Sequence, residues 1–549
     1  MKLVFIFPFK QECFGTPLKW LPLGAPTLIG NIKKDFPGVI FDQLDLEEEI
    51  KSAVARKKLD GRRLQALNRL LENNILTNEE LDKDLNEFRS FFSSLADYLN
   101  LGKYDHYFFS VYTRGKVGIK ANILLAKYLK KRYKNKKIIF GGTLGFFGEN
   151  YEKCSFEKFD FIDSTVIGTG ENSAKEILNN LLMGKRLEKI YRIDTPRRFR
   201  LAPPDYSRFK SIKHFSYLPE DLEKIYGINL PRSRVGKRIL FIPYKFSSGC
   251  FWSKCSFCGQ SDCHKTKNSF FCKDVNEIID DLRALKETNN TKYFLFLNNN
   301  FNFDLEFSKK LLKAIIKNKL DILWTDSFNL AVIDGELLDL LADAGCFRAC
   351  VGTSIIDPKL QKLYHCMLRN HQLKYVKEMS RRGIWTHINI IVNLPHQYSI
   401  KKDKEILSKY MPDIDTASVF NYIRVPYSDL GQNYEKYNLK LINKKTDLII
   451  RESQSVSLAY IEKDFTGTLS AREELIRRNY LEMKNFFIVN KKILNATNLY
   501  LLGHLYDSFG LTNKNKIKET VSSLFEKNHK LVDRLSREKM GVYIDSIKF

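Results

Sequence analysis

Three cysteines on one short loop constrain this chain more than any other feature. Cys250, Cys255 and Cys258 have four residues between the first pair and two between the second, in the run Ser247-Ser248-Gly249-Cys250-Phe251-Trp252-Ser253-Lys254-Cys255-Ser256-Phe257-Cys258-Gly259. Cys263 and Cys272 follow, so five of the ten cysteines fall within 23 residues of a 549-residue chain. Ten in a chain this long are too sparse for a disulfide scaffold. Three thiolates on one loop can each ligate one iron of a [4Fe–4S] cubane, leaving the fourth iron for another ligand. Trp252 and Phe257 are placed to shield such a cluster from water, and Gly249 and Gly259 allow close backbone approach. Two other readings stand beside this one. Zinc could be held by Cys255, Cys258, Cys263 and Cys272, or the thiols could carry no metal.

The rest of the chain reads as several domains, since roughly 100–200 residues make one. Hydrophobic residues are 44% and charged residues 28%, a globular composition. No apolar run approaches the roughly 18–20 residues that span a membrane, and MKLVFIFPFK reads as a first buried strand and not a secretory signal. The expectation is a cytoplasmic protein with no membrane partner. The formal net charge of +26 suits a nucleic-acid partner, yet the basic residues are spread along the chain, without an Arg-rich arm or RNP-type motif. Nucleic acid is therefore not favoured.

Strands and helices alternate through residues 1–195, with strands expected at 3–7, 39–41, 107–111, 137–140 and 164–167, and with a charged helical insertion at about 46–98 whose Leu64, Leu67, Leu70 and Leu71 recur at helical spacing. Such alternation implies a doubly wound parallel sheet. Residues 196–237 read as a linker. Alternation resumes over 238–435, with strands expected at 239–244, 292–297, 321–325, 348–352, 387–393 and 416–421 and helices at 274–287, 305–317, 335–344 and 371–382; residues 436–549 read as a mainly helical C-terminal domain. His106, just before a strand, reads as a surface or capping histidine, with a cobalt-ligand role as the lesser alternative. Cys346 and Cys350 read as free buried thiols.

The cysteine loop resembles that of radical S-adenosylmethionine (SAM) enzymes, specifically those with an N-terminal cobalamin-binding-type domain and those that modify peptides and other natural products. The resemblance covers about residues 1–435 and also rests on Asp334–Gly345, Val351-Gly352, Ile390–Pro395, the Pro203-Pro204-Asp205-Tyr206-Ser207 segment, Ser110-Val111-Tyr112-Thr113, Gly141-Gly142 and Gly168-Thr169-Gly170-Glu171. It implies a doubly wound cobalamin-type domain followed by a partial (β/α)6 barrel. It also implies that Cys250, Cys255 and Cys258 hold a [4Fe–4S] cluster. Phe257, Asn298, Asn299, Asn300 and Ser354 would lie at the SAM site, and Ser110, Thr113, Gly141, Gly142, Gly168, Gly170 and Glu171 at cobalamin. The chain departs from the family in three places: Asn298-Asn299-Asn300 and Ser354 stand where acidic residues are common, and the Asp-x-His-x-x-Gly cobalamin motif is absent, the chain reading Phe41-Asp42-Gln43-Leu44-Asp45.

The implied chemistry is one-electron cleavage of SAM to a 5′-deoxyadenosyl radical, followed by cobalamin-dependent methylation of an unactivated carbon in a peptide or other natural product. A flavodoxin- or ferredoxin-type electron donor is implied too. Two alternatives are tRNA modification of the methylthiotransferase kind and a non-enzymatic zinc- or cluster-stabilised binding protein. Against the first, the N-terminal part holds only Cys13 and Cys154, too few for a second three-cysteine cluster.

Overall fold

The computed structural model describes residues 1–7, 21–63, 77–111, 116–142, 156, 159–193, 196–226, 229–230, 238–259, 270–422, 424–425, 428–442, 460–490, 492–494 and 499–527. The chain forms two compact units, Met1–Cys13 with Pro22–His214 and Asp447–Glu452, and Phe14–Leu21 with Phe215–Thr446 and Ser453–Phe549.

The first unit is a parallel sheet of β1 (Lys2–Phe7), β2 (Ile40–Asp45), β3 (His106–Val111), β4 (Ile138–Gly142), β5 (Ser164–Val166) and β6 (Ile190–Tyr191), in the order β2-β1-β3-β4-β5-β6. The order reverses between β1 and β3, the point at which ligands bind beyond the strand ends in doubly wound sheets. Helices Gly24–Ile32, Leu46–Ala55, Asn78–Tyr98, Lys116–Arg132 and Gly170–Leu182 connect or flank the strands. The continuous apolar run of β1 is buried from Leu3 to Phe7, as a strand covered on both faces requires. Phe88, Phe92 and Leu95 of the helix Asn78–Tyr98 join Phe109 and Phe140 in one core, so this part of the insertion is packed. Its Leu64, Leu67, Leu70 and Leu71 lie outside the described residues.

The second strand is longer than its apolar residues suggest. It runs on through Asp42 to Asp45, because distant partners satisfy its polar side chains. Asp42 accepts hydrogen bonds from the Tyr104 hydroxyl at 3.0 Å and from Arg208 at 2.7 Å, and pairs with Lys210 at 2.9 Å. These partners hold its carboxyl below the usual range against the opposing effect of burial. Gln43 donates to the Asp205 carbonyl at 2.7 Å, and Tyr206 donates to the Pro22 carbonyl at 2.8 Å. The Pro203–Ser207 segment is thus fastened to the first unit.

The second unit contains β7 (Phe241–Tyr244), β8 (Ser247–Ser248), β9 (Phe271–Cys272), β10 (Tyr293–Phe296), β11 (Leu323–Phe328), β12 (Cys346–Ser354), β13 (Trp385–Val392), β14 (Thr416–Asn421), β15 (Leu439–Leu441), β16 (Tyr460–Glu462) and β17 (Ile493–Leu494). Its main sheet is parallel, in the order β7-β10-β11-β12-β13-β14-β17, so seven strands lie side by side in chain order. The sheet is curled. Phe241 of β7 and Phe347 of β12 have ring centroids 6.1 Å apart although two strands separate theirs. A flat sheet would place these strands about 14 Å apart. This is the partial barrel.

The C-terminal residues form helices Leu469–Val489, Leu499–Phe509 and Lys514–Lys527, and Ile493–Leu494 between them extends the barrel sheet beside β14. Helix Leu499–Phe509 packs into the curl. Tyr500 lies 5.2 Å from Phe241, and Tyr506 5.5 Å from Phe347. With Tyr293, Leu295 and Trp385 they make an apolar floor toward the N-terminal ends of the strands. Among the described residues no helix is long and apolar enough to cross a membrane.

The turn into β12 needs a glycine. Gly345 has φ +82, and a Cβ there would lie 2.0 Å from the Ile322 carbonyl oxygen, whereas a Cβ at Gly335 would meet nothing within 4 Å. We expect Gly345→Ala to cost about 1–3 kcal/mol in denaturant unfolding and Gly335→Ala to stay within about 0.5 kcal/mol of the parent. Equal effects would contradict this account of the turn.

Candidate functional site: the cysteine loop at the barrel mouth

The cysteine loop leaves the C-terminal end of β7, where α/β barrels build their sites. Its first residues are held by one buried amide. Asn298 Oδ1 accepts hydrogen bonds from the Phe246 N–H at 3.1 Å, the Ser247 N–H at 2.9 Å and the Ser247 hydroxyl at 2.9 Å, while its Nδ2 donates to Asp326 at 2.7 Å. Asn299 donates to the Gly249 carbonyl at 2.6 Å. Further along, Trp252 Nε1 donates to the His365 carbonyl at 2.9 Å, the Ser256 N–H donates to the Tyr364 carbonyl at 3.1 Å, and the Ser256 carbonyl accepts from the Leu430 N–H at 2.8 Å. Behind the loop, β8 pairs with β9. A loop with this many long-range anchors is a rigid mount for its thiols.

Cys250, Cys255 and Cys258 form no disulfide and are partly buried. Burial pushes the Cys250 thiol up. The Cys255 thiol is pushed up first by a hydrogen bond with Cys366 and then by burial. Both thiols are therefore neutral at physiological pH in the absence of metal, and metal binding would release protons. Phe257 is buried and meets Tyr364 edge-on at 6.3 Å in an apolar cluster that Cys255 and Cys258 pack against. Cys272 is part of β9, where burial pushes its thiol up to about 12. Cys263 lies outside the described residues.

The other residues singled out from the sequence fall in two groups. At the barrel mouth, the Asn298 side-chain oxygen and the Asn299 side-chain nitrogen are spent on the loop, Asn300 is partly exposed, and Ser354 ends β12 in the left-handed region at φ 48. In the first unit, Ser110 pairs with Gly141 and Val111 with Gly142 at the C-terminal ends of β3 and β4. Gly142 has φ +130, and a Cβ there would lie 2.3 Å from the Val111 carbonyl oxygen. Gly168, Gly170 and the buried Glu171 follow β5 at the same edge, with nothing within 4 Å of a Cβ at Gly168. Thr113 lies outside the described residues. His106 starts β3, so it sits at the opposite edge, where its Nδ1 accepts from the Lys137 N–H at 3.0 Å. Its role there is that of a strand-end acceptor.

Two residues at the loop are not evident from sequence. Cys366 lies 108 residues beyond Cys258 in the chain, and no local pattern connects it to the loop. Asp326 falls past the expected end of its strand, but β11 continues to Phe328. Burial raises Asp326 to about 8, against hydrogen bonds from Asn298 and the Ser327 N–H.

No protein-family model matches this chain, and no curated protein matches it. Solved structures do. The radical S-adenosylmethionine methyltransferase TsrM from Kitasatospora setae, with cobalamin and a [4Fe–4S] cluster bound, superposes with a TM-score of 0.56 at 13% identity, over 95% of this chain and 99% of that one. The cobalamin-dependent S-adenosylmethionine radical enzyme OxsB, with aqua-cobalamin and SAM bound, superposes with a TM-score of 0.55 at 13% identity, over 99% of this chain and 84% of that one. This chain shares their fold, here a doubly wound α/β unit and a partial barrel.

The Asp326 environment gives a pH signature. Its folded value of about 8 lies above the unfolded value of about 3.9, so the group favours folding in acid and withdraws that contribution as pH rises toward 8. Between about pH 5 and 7.5 the parent protein should lose stability relative to Asp326→Asn, by at most about 1.4 kcal/mol per pH unit. Denaturant midpoints measured across that range check it, and curves that stay parallel would contradict it.

Proposed function

We propose that this protein is a radical SAM enzyme that holds a [4Fe–4S] cluster on Cys250, Cys255 and Cys258, with cobalamin as a second cofactor. The observation that carries the reading is the braced three-cysteine loop at the C-terminal mouth of a curled parallel sheet. The donor set suits a cubane. Each thiolate binds a different iron, so the three sulfurs need only surround one opening.

When bound, the cluster supplies the electron that cleaves SAM, and cobalamin supplies the methyl group passed to the substrate carbon. The chain's own residues position and enclose. Phe257 and Tyr364 keep water from one side of the loop. Asn300 and Ser354 face the mouth as polar partners for SAM, while Asn298 and Asn299 act on it through the loop they hold. At the first unit's edge, the open space at Gly168 gives room for a large planar cofactor beside Gly141, Gly142 and Gly170, with Ser110, Thr113 and Glu171 as its polar contacts. Asp42 and Gln43, in the middle of β2, are engaged elsewhere, so we assign no side chain as a lower cobalt ligand. The neighbours TsrM and OxsB are consistent with this reading, one of them being described with a tryptophan substrate. We infer methylation of an unactivated carbon in a peptide or other small natural product in the cytoplasm, with a flavodoxin- or ferredoxin-type protein as reductant.

Anaerobic reconstitution with iron, sulfide and cobalamin, followed by SAM and dithionite, tests the reading. We expect about four irons per chain, bound cobalt and 5′-deoxyadenosine, with deoxyadenosine lost in Cys250→Ala, Cys255→Ala and Cys258→Ala. Iron and deoxyadenosine without cobalt would remove cobalamin from the reading. Zinc without iron or SAM cleavage would overturn it.

A further inference from the structure

Above the apolar floor, the concave face of the barrel turns polar. The strand register sets Thr325, Arg348 and Trp385 abreast, then Ser327, Cys350 and His387. Trp385 belongs to the floor, so this row lies inside the curl. Exposure along β12 agrees. Arg348, Cys350 and Ser354 are partly exposed and Gly352 is exposed, while the intervening Ala349, Val351 and Thr353 are buried. A Cβ at Gly352 would meet nothing within 4 Å, so there is room toward the mouth.

Most polar groups in this layer have partners. His387 Nδ1 meets Thr416 Oγ1 at 2.8 Å, and its Nε2 meets Asn389 Oδ1 and Ser418 Oγ at 3.1 Å each. Asn389 donates to Cys350 Sγ at 3.1 Å. The exceptions are Thr325, whose buried Oγ1 has no hydrogen-bond partner, and Arg348. Its buried Nε has no hydrogen-bond partner, and among the described residues no carboxylate pairs with the guanidinium. The acidic residue beside this row, Asp326, lies between Thr325 and Ser327, so strand alternation turns it to the opposite face, where it bonds Asn298. Burial pushes Arg348 down, yet a guanidinium does not shed its proton in a protein. A largely buried cation without a counter-charge is costly, and natural proteins pair such charges.

We propose that Arg348 is an oxyanion anchor on the inner wall of the barrel, binding a carboxylate or phosphate on a small ligand that enters through the mouth. The planar fork of the guanidinium suits either group in a bidentate pair. That the anion belongs to the substrate rests on the function proposed above; the site itself requires neither cluster nor SAM.

The test uses the full-length chain and its thermal unfolding midpoint, with inorganic phosphate, N-acetylglycinate or the neutral N-acetylglycinamide added against chloride at matched ionic strength. At least one anion should raise the midpoint saturably and the amide should not; which anion acts identifies the source. Arg348→Met should abolish that rise and, by removing an unpaired buried charge, raise the ligand-free midpoint by about 2–4 °C. Arg348→Lys should keep the rise, with saturation shifted about ten-fold or more to higher concentration. The proposal is overturned by a rise that persists in Arg348→Met, by no saturable rise with either anion in the parent, or by a lower ligand-free midpoint in Arg348→Met. An Arg348-dependent rise in a protein that cleaves no SAM would keep the anion site and remove the radical reading.

Discussion

The cysteine loop depends on one buried side chain. Asn298 lies just past the end of β10 and accepts three hydrogen bonds from the two residues that open the loop after β7, while its amide nitrogen reaches Asp326 on β11. Three adjacent strands are thereby tied at their C-terminal ends, and the direction in which the loop departs is set. Each donor left unpaired there would cost about 1–3 kcal/mol, so the alternatives for the loop are few. An aspartate could accept the same bonds but would bring a charge into a buried site beside another carboxyl. Asparagine supplies both the acceptor and the donor that the position needs. A triple asparagine that looks like a weakened ligand turn therefore serves in part as the mount of the loop.

The barrel is divided along its axis by what fills it. At the N-terminal ends of the strands, helix Leu499–Phe509 closes the curl with aromatic rings, and burial of this kind is the main stabilising term available to the unit. Higher up, the inner wall carries His387, Asn389, Ser418 and Arg348. At the mouth sit the cysteine loop and Ser354. An apolar floor below a polar wall favours a small, partly polar ligand held near the cysteines, and it limits entry of water from the opposite end.

Much of this was legible in the sequence, for identifiable reasons. Helices such as Leu305–Lys317 and Val275–Asn289 have strong 3.6-residue periodicity and aspartate caps, so their bounds emerge closely from the pattern. The strands of both parallel sheets are buried apolar runs between turn residues. The short strands Ile190–Tyr191 and Ile493–Leu494 escape, because two residues carry no period. The far end of β2 escapes because Asp42 and Gln43 look like a turn until Tyr104, Arg208 and Asp205 are folded against them. The three cysteines are legible because they are close in the chain. Cys366 and Arg348 are not, because only the fold brings one to Cys255 and leaves the other without a counter-charge.

The most direct measurement is electron paramagnetic resonance of the iron-reconstituted, dithionite-reduced protein before and after SAM is added. The account predicts a reduced [4Fe–4S] signal whose shape changes when SAM binds the open iron. A protein that forms no cluster signal, or one whose signal is indifferent to SAM, would contradict the claim that Cys250, Cys255 and Cys258 build a SAM-cleaving site.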